Sequence, residues 1–151
     1  MQTQEQLKND FVEELHNQAI YEFGLNTKTI DIIIIVHNQL NYIKNCIDFL
    51  YRNTKNFKLY LWDNGSEKPT ADYLLELSMK MNNVYLERIE ENIGFIKPNN
   101  ILVAKGTSPY IILLNSDTEV QSGWETALIG WLENNPDYAI TGYLGGMLES
   151  D

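Results

Sequence analysis

The residues best suited to binding chemistry lie in the segment 113–120, which reads LLNSDTEV. An apolar run without alternation precedes Asn115, Ser116 and Asp117, and such a run predicts a strand buried on both faces. Ligands of open α/β sheets bind in the crevice beyond the carboxyl ends of the strands. Asp117 is therefore placed where a carboxylate would hold a divalent cation and a nucleotide. Asn, Ser and Asp are also ordinary turn residues, so a plain turn that caps the next helix is the competing interpretation.

Two more apolar runs end on polar residues in the same way. The run DIIIIVHN ends on His37 and Asn38, and the run LYLWDNGS leads into Asp63 and Asn64. The carboxyl ends of parallel strands meet at one edge of a sheet, and carboxylates and amides hydrogen-bond a base or a ribose. Together the strand ends predict a nucleotide site, with the metal carboxylate of Asp117 beside the diphosphate.

The elements that must position these residues alternate along the chain. Further elements are predicted after the two apolar runs. They are a strand over 84–89, a turn at Gly94, a helix that begins near Pro98, a helix over 123–134 and a last short strand over 138–141. A β-α-β-α order implies a mainly parallel sheet with right-handed crossovers. The expected fold class is therefore α/β, with one crevice at the strand ends.

Residues 1–28 are predicted to form a unit of their own, and residues 29–151 a single domain of ordinary size. Before the first strand, apolar residues recur at helical spacing: Leu7, Phe11, Leu15 and Ile20. This spacing predicts an amphipathic helix. The helix either covers a face or edge of the sheet or forms a dimer contact, which leaves a homo-oligomer open.

The composition narrows the class of partner. A net charge of −10 argues against nucleic acid, because phosphate backbones are bound by clustered Lys and Arg. A phosphate ester would need a cation to offset this charge.

Cys46 is the only cysteine and is expected to be a small buried hydrophobe. No apolar stretch reaches the roughly 20 residues of a membrane span, and the N-terminus does not resemble a signal peptide, so a cytoplasmic protein is expected.

Four motifs in this order resemble the donor-binding half of family 2 glycosyltransferases of the GT-A fold: VHN, WDNGS, NIGFIKPNN and LLNSDTEV with a following GW. The resemblance covers about residues 29–142. The LLNSDTEV form is most similar to the rhamnosyltransferase-like branch. The resemblance implies a Rossmann-like nucleotide-sugar-binding domain, a mainly parallel sheet flanked by helices, to which residues 1–28 would add an extra helix.

The resemblance also implies roles for individual residues on the donor side. It implies that Val36 and Asn38 line the nucleotide pocket, with His37 between them in the motif, and that Asp63 contacts the base beside Asn64. It places Gly94, Lys97 and Asn100 near the ribose and the diphosphate. A solvated side chain is the alternative for Lys97.

On the metal side, Asn115, Ser116 and Asp117 match the DxD motif of the family, with Asn115 in place of the first Asp. Asp117, together with Asn115, would then hold Mn²⁺ or Mg²⁺, which acts as a Lewis acid on the leaving diphosphate. Members of the family invert the anomeric centre, which requires a carboxylate base. The acidic candidates are Glu149 and Asp151, since Glu119 is expected to face solvent.

Three functions remain open at this point. The first is a metal-dependent inverting glycosyltransferase that moves a sugar from a UDP-sugar, or alternatively a dTDP-sugar, to a hydroxyl of a glycan or another acceptor. The second is a truncated domain that binds a nucleotide sugar without transferring it, because little of an acceptor-binding half follows the DxD strand. The third is an unrelated doubly wound domain of the flavodoxin type. The first strand is not followed by the Gly-rich phosphate loop that would support it.

Overall fold

The computed structural model describes residues 29–142. Strands and helices alternate along this part of the chain: β1 (Ile30–Val36), α1 (Leu40–Asn53), β2 (Phe57–Asn64), α2 (Lys68–Lys80), β3 (Val84–Ile89), α3 (Ile96–Lys105), β4 (Tyr110–Leu113) and α4 (Trp124–Asn134). The helix expected in residues 1–28 and the two base candidates, Glu149 and Asp151, lie outside the described residues.

The strands form one sheet in the order β3-β2-β1-β4, and every pairing is parallel. The isoleucine-rich β1 lies inside the sheet, where Ile32 and Ile34 are completely buried. A continuous apolar run suits such a strand, because helices cover both faces of a parallel sheet. The expected α/β class with a parallel sheet flanked by helices is confirmed, and all strands deliver their carboxyl ends to the same edge.

The two faces of the sheet belong to different core clusters. Ile32 and Ile34 pack with buried residues of α1, α2 and α4. Ile33, one residue out of phase, packs instead with Tyr60, Trp62 and Leu102 of α3. This alternation follows from the two-residue period of a strand. None of the helices within residues 29–142 is long and apolar enough to cross a membrane.

Two predicted elements differ from the observed ones. Helix α3 begins at Ile96, before Pro98, because the first-turn N–H groups have no partner within a helix and proline is tolerated there.

The prediction of a short strand over 138–141 is wrong. The backbone N–H of Tyr138 closes a turn on the carbonyl of Asn135 at 3.0 Å, and Ile140 is 85 % exposed. A strand needs a ladder partner, which this segment does not find among the described residues.

A buried carboxylate fixes the loop between α3 and β4. Asp31 of β1 has no exposed surface. Its Oδ2 accepts the backbone N–H groups of Thr107 at 2.6 Å and Ser108 at 2.8 Å, and its Oδ1 accepts the Ser108 hydroxyl at 2.6 Å. This loop sets where β4 starts. Asp31 therefore helps to determine where the far end of β4, with Asn115 and Asp117, comes to lie.

Glu125 lies in the first turn of α4 and is buried, with 6 % of its surface exposed. Its own backbone N–H and that of Thr126 interact with the carboxyl group, while Oε2 finds no hydrogen-bond partner within residues 29–142. Burial raises the pKa of Glu125 above the ordinary value of 4.5, because the charged form loses its hydration. The protonated carboxyl therefore favours the folded state.

We expect Glu125→Gln to be more stable than the wild type near neutral pH, by on the order of 1 kcal/mol, because the amide carries no buried charge. The pKa of Glu125 is higher in the folded state than its ordinary value of 4.5. The protonated carboxyl therefore stabilises the wild type fully at pH values below 4.5, and this stabilisation is lost as the pH rises through the folded-state pKa. The advantage of Glu125→Gln should therefore vanish in acid. Urea unfolding across this range measures it, with the exposed Glu119→Gln as control; a difference that does not change with pH would contradict the assignment.

Candidate functional site

The end of β1 has an unusual backbone. Val36 is completely buried, and His37 follows it on the surface. Asn38 and Gln39 both adopt positive φ angles, of 59° and 57°. Such angles are uncommon outside glycine, and strained residues of this kind cluster at binding sites. The surrounding contacts must therefore hold this turn in place.

These contacts come from the end of β2. The Nδ1–H of His37 donates to the carbonyl of Asn64 at 2.9 Å, and the backbone N–H of Asn38 donates to the hydroxyl of Ser66 at 2.8 Å. The backbone N–H of Glu67 donates to Oδ1 of Asn38 at 2.7 Å. A carbonyl can only accept, so Nδ1 of His37 carries a proton, and Nε2 of the same ring lies 3.5 Å from Nδ2 of Asn38. The predicted nucleotide residues of β1 and β2 are thus brought together.

Asp63 is engaged within the protein. Its side chain is 1 % exposed, its Oδ1 accepts the backbone N–H of Ser66 at 2.9 Å, and its Oδ2 accepts the guanidinium of Arg88. Oδ1 thus contacts the turn after β2, and Oδ2 contacts the neighbouring strand β3. A contact between Asp63 and the base stays a prediction, and such a contact would have to compete with these partners.

Asn64 connects β2 to the loop between β3 and α3. Its Nδ2 donates to Oδ1 of Asn92 at 2.8 Å and to the carbonyl of Gly94 at 2.9 Å, and its Oδ1 accepts the N–H of Ile93 at 3.0 Å. Gly65 allows the backbone at Glu90 to lie close to the end of β2. With the φ of 75° at Gly65, an added Cβ would lie 2.9 Å from the carbonyl oxygen of Glu90. Asn64 therefore holds Gly94 beside the end of β2.

Lys97 and Asn100 lie near this loop, on the first turns of α3. Both are exposed, and with Gly94 they line a cavity of about 600 Å³. Phe95 and Ile96, exposed by 53 % and 76 %, border the same cavity. The structure thus groups the three residues expected near the ribose and the diphosphate, and surrounds them with apolar surface that the sequence motifs did not reveal.

The predicted metal residues lie in a tight turn after β4. The N–H of Leu114 still pairs with the carbonyl of Ile33 at 2.9 Å, and the N–H of Thr118 closes the turn on the carbonyl of Asn115 at 3.2 Å. Asn115 and Asp117 are exposed and Ser116 is half-buried. β4 pairs with β1 on the side opposite β2. We call the turn Asn115–Thr118 the metal turn, and the turn formed by Asn38 and Gln39 the Asn38 turn. The two turns therefore lie at the ends of neighbouring strands.

Cys46 of α1 contacts the backbone of the metal turn. It is completely buried, and its thiol donates to the carbonyl of Asn115 at 3.6 Å. Burial, together with the nearby charge of Asp117, raises the pKa of the Cys46 thiol from 9.0 to about 11. The expected role of Cys46 as a buried hydrophobe is confirmed, and the residue also packs against the backbone that presents Asp117.

We expect a thiol-specific disulfide reagent to modify Cys46 at least about a hundredfold more slowly in the native protein than in urea. The thiolate is the reactive form, and a pKa raised from 9.0 to about 11 leaves about a hundredfold less of it at neutral pH. The rate of chromophore release measures the effect. Equal rates in the two conditions would show that the turn over Cys46 opens freely.

The donor atoms of this turn suit a hard cation. The side chains of Asn115 and Asp117 offer oxygen, the ligand that Mg²⁺ and Mn²⁺ prefer, and no hydrogen bond within residues 29–142 occupies the Asp117 carboxylate. The same residues contain no cluster of three or more His, Cys, Asp or Glu side chains able to enclose a metal. A cation here would therefore take most of its ligands from phosphate oxygens and water, as Mg²⁺ commonly does.

Arg88, Ser66 and Asn92 were not among the residues that the sequence motifs assigned to the site. Arg88 contacts Asp63, and Asn92 contacts Asn64, across a separation of 25 and 28 residues respectively. One local signal for Arg88 was available, because two charged residues, Glu87 and Arg88, interrupt the otherwise apolar strand VYLERI. Its partner could not be read from that signal.

Two curated proteins that are similar to this chain are named as glycosyltransferases. An uncharacterized glycosyltransferase of Haemophilus influenzae is 23 % identical over 128 residues, which is 83 % of this chain and 40 % of that protein. Glycosyltransferase GlyA of Streptococcus pneumoniae is 26 % identical over 117 residues, 76 % of this chain and 16 % of that protein. The chain thus spans less than half the length of either curated relative.

Solved structures share the fold. The mannosyltransferase PcManGT from Pyrobaculum calidifontis, in complex with GDP-Man and Mn²⁺, superimposes with a TM-score of 0.62 at 14 % identity over 80 % of this chain and 42 % of that one. GalNAc-T7, with UDP, GalNAc and Mn²⁺, gives a TM-score of 0.63 at 21 % identity over 73 % of this chain and 22 % of that one. The Rossmann-like GT-A architecture is thereby confirmed.

The family profile described as glycosyl transferase family 2 matches residues 31–147, which include every described strand end of the candidate site. With a parallel sheet, polar strand ends and GT-A neighbours in agreement, the chain belongs to glycosyl transferase family 2.

Proposed function

We propose that this chain binds a nucleoside-diphosphate sugar at the strand-end crevice and transfers the sugar to an acceptor hydroxyl with inversion. The observation that carries the proposal is the exposed Asp117 carboxylate, which lies at the end of β4 next to the Asn38 turn in a chain of family 2. UDP is the preferred nucleotide and dTDP the alternative. The acceptor is a glycan or another hydroxyl compound.

Asp117 and Asn115 would hold the Mn²⁺ or Mg²⁺ ion, and two structural neighbours were solved with Mn²⁺. When bound, the cation stabilises the negative charge that develops on the leaving diphosphate. The chain carries a net charge of −10, so without a cation it would repel a diphosphate. The oxygen donors and their exposure support a metal that arrives together with the phosphates.

The chain's own residues bind and orient the donor in this proposal. His37 and Asn38 line the nucleoside side of the crevice, and the buried Val36, Asp63 and Asn64 lie behind them. Gly94, Lys97 and Asn100 lie on the ribose and diphosphate side, where the exposed Lys97 brings a positive charge to the first turn of α3. Ser116 sits between the two proposed metal ligands and helps to shape their turn.

A domain that binds nucleotide sugars without transferring them is the second candidate. The chain spans 40 % of one curated relative and 16 % of the other. A single displacement with inversion needs a carboxylate base, and the candidates Glu149 and Asp151 lie outside the described residues.

The proposal also includes a place in the rhamnosyltransferase-like branch, a homo-oligomeric state and a cytoplasmic location.

Titration calorimetry with UDP, with and without Mn²⁺, tests the binding site. We expect UDP to bind measurably, and Mn²⁺ to lower its Kd by about tenfold or more, because a cation held by Asp117 would offset the negative charge of the diphosphate. CDP and GDP serve as comparison ligands and report the preference for the base. The absence of binding for every diphosphate with Mn²⁺ would refute a nucleotide-sugar site.

Release of UDP from a panel of UDP-sugars separates the two candidates. A transferase is expected to release UDP above the no-protein background, faster when a suitable acceptor hydroxyl is present. A binding domain is expected to bind the same donors without release. If binding is observed and release is not, with any acceptor tested, transfer by this chain is refuted while donor binding stands.

A further inference from the structure

We infer that Arg88 is a positioning residue for the nucleoside half of the donor site and acts through Asp63 and Ser66 on the Asn38 turn. This inference rests on the proposed function. Arg88 lies on β3, the edge strand next to β2, and is separated from the β1 end by the width of β2. The residue therefore acts through others rather than by contact with the ligand.

The first step of the contact chain joins Arg88 to the end of β2. Its Nη1 donates to Oδ2 of Asp63, and its Nη1 and Nη2 both lie 3.3 Å from the carbonyl oxygen of Ser66. The planar guanidinium thus spans a carboxylate and a carbonyl at once. A lysine ammonium is a point charge and cannot reproduce this fork.

The second step joins Ser66 to the end of β1. Asp63 accepts the backbone N–H of Ser66 at 2.9 Å, so the Arg88 and Asp63 pair holds Ser66 by both its N–H and its C=O. The Ser66 hydroxyl in turn accepts the backbone N–H of Asn38 at 2.8 Å. Ser66 is 4 % exposed, which leaves this hydroxyl little freedom to take another orientation.

Asn38 needs such support because of its backbone. Asn38 and Gln39 have φ angles of 59° and 57°, a pair of left-handed residues that does not persist unless the surroundings over-determine it. The contacts that do so come from Ser66 and from the N–H of Glu67. Loss of Arg88 would free the carbonyl of Ser66 and leave this residue held only through its N–H, which loosens its hydroxyl contact with Asn38.

Arg88 lies outside the apolar core of the domain. Its side chain is 32 % exposed on an edge strand, and it contributes to neither of the two hydrophobic clusters. The metal turn lies on the other side of β1 and is supported by Cys46. Arg88 should therefore affect the affinity for the nucleoside but not the additional affinity that Mn²⁺ provides.

The test measures the Kd of UDP with and without Mn²⁺ for Arg88→Gln, Arg88→Lys and the wild type. We expect Arg88→Gln to raise both Kd values by the same factor, about tenfold, and to leave the ratio between them unchanged. Arg88→Lys should not restore binding, because it lacks the fork. The control is Arg52→Gln, which removes an exposed arginine that pairs with Asp48 and should bind UDP as the wild type does.

Ser66→Ala provides a second, independent variant, since it removes only the acceptor of the Asn38 N–H. Ser66→Ala and Arg88→Gln should be non-additive, so that the double variant binds UDP no more weakly than the weaker single variant. Additive losses, or a Kd for Arg88→Gln within twofold of the wild type, would overturn the inference. A wild type that binds no UDP would instead refute the proposed function itself. If Arg88→Gln does not fold, wild-type affinity in Ser66→Ala overturns the inference.

Discussion

Asp117→Ala is expected to remove the gain in UDP affinity that Mn²⁺ provides, so that the Kd with Mn²⁺ rises about tenfold or more to the metal-free value. Asp117 is the only carboxylate of its turn that matches the metal position of the DxD motif. Its oxygens are exposed and make no hydrogen bond with the other described residues. Since Asn115 alone offers a neutral amide oxygen, the turn would keep little attraction for a divalent cation. Calorimetry with and without Mn²⁺ measures the change.

Glu119→Ala is the matched control for this experiment. Glu119 is also exposed, lies two residues further along the chain and carries the same charge, so its removal changes the electrostatic field to a similar extent. We expect Glu119→Ala to keep the Mn²⁺ effect. If Asp117→Ala also keeps it, the cation is held elsewhere and the assignment of the metal turn is wrong.

Asp31→Ala is expected to lower the free energy of unfolding by about 3 kcal/mol, because it removes the buried carboxylate that accepts three hydrogen bonds from the loop before β4. The carboxylate accepts two backbone N–H groups and one hydroxyl from Thr107 and Ser108, at 2.6 to 2.8 Å. A loss of this size is a large fraction of the 5–15 kcal/mol that typically stabilises a domain of roughly this size. Urea unfolding followed by circular dichroism measures it.

Asp31→Asn should lie between Asp31→Ala and the wild type, since the amide keeps one acceptor oxygen for the loop. Asp48→Ala is the control, because Asp48 is 51 % exposed and pairs with Arg52 on the same helix. We expect a change below about 0.5 kcal/mol for Asp48→Ala. A loss as small for Asp31→Ala would mean that the loop before β4 does not depend on this carboxylate.

Local patterns in the sequence were sufficient to predict the order of the elements and their type. Strand β1 is a β-branched run, and helix α1 has an apolar face on which Ile43, Cys46 and Leu50 are buried. Such periodicities arise from the geometry of each element and need no distant partner to be visible. The end of each strand was visible for the same reason, because an apolar run stops where the chain leaves the core.

The short strand expected over 138–141 shows where local patterns fail. Its residues are apolar enough for a strand, yet Ile140 is 85 % exposed and the backbone forms a turn. A strand is stable only when another strand satisfies its backbone groups, and that condition depends on the rest of the fold.

By itself, the sequence determined that this is an α/β chain with polar residues at the ends of β1, β2 and β4, because strand ends and buried runs are local properties. Only the tertiary structure decided which of these polar residues are free. Asp117 faces outward, whereas Asp63 is held by Arg88, a residue that lies 25 positions away along the chain. Which way a side chain faces at a strand end is decided by such distant partners, and their contacts arise only when the parallel strands assemble into the sheet.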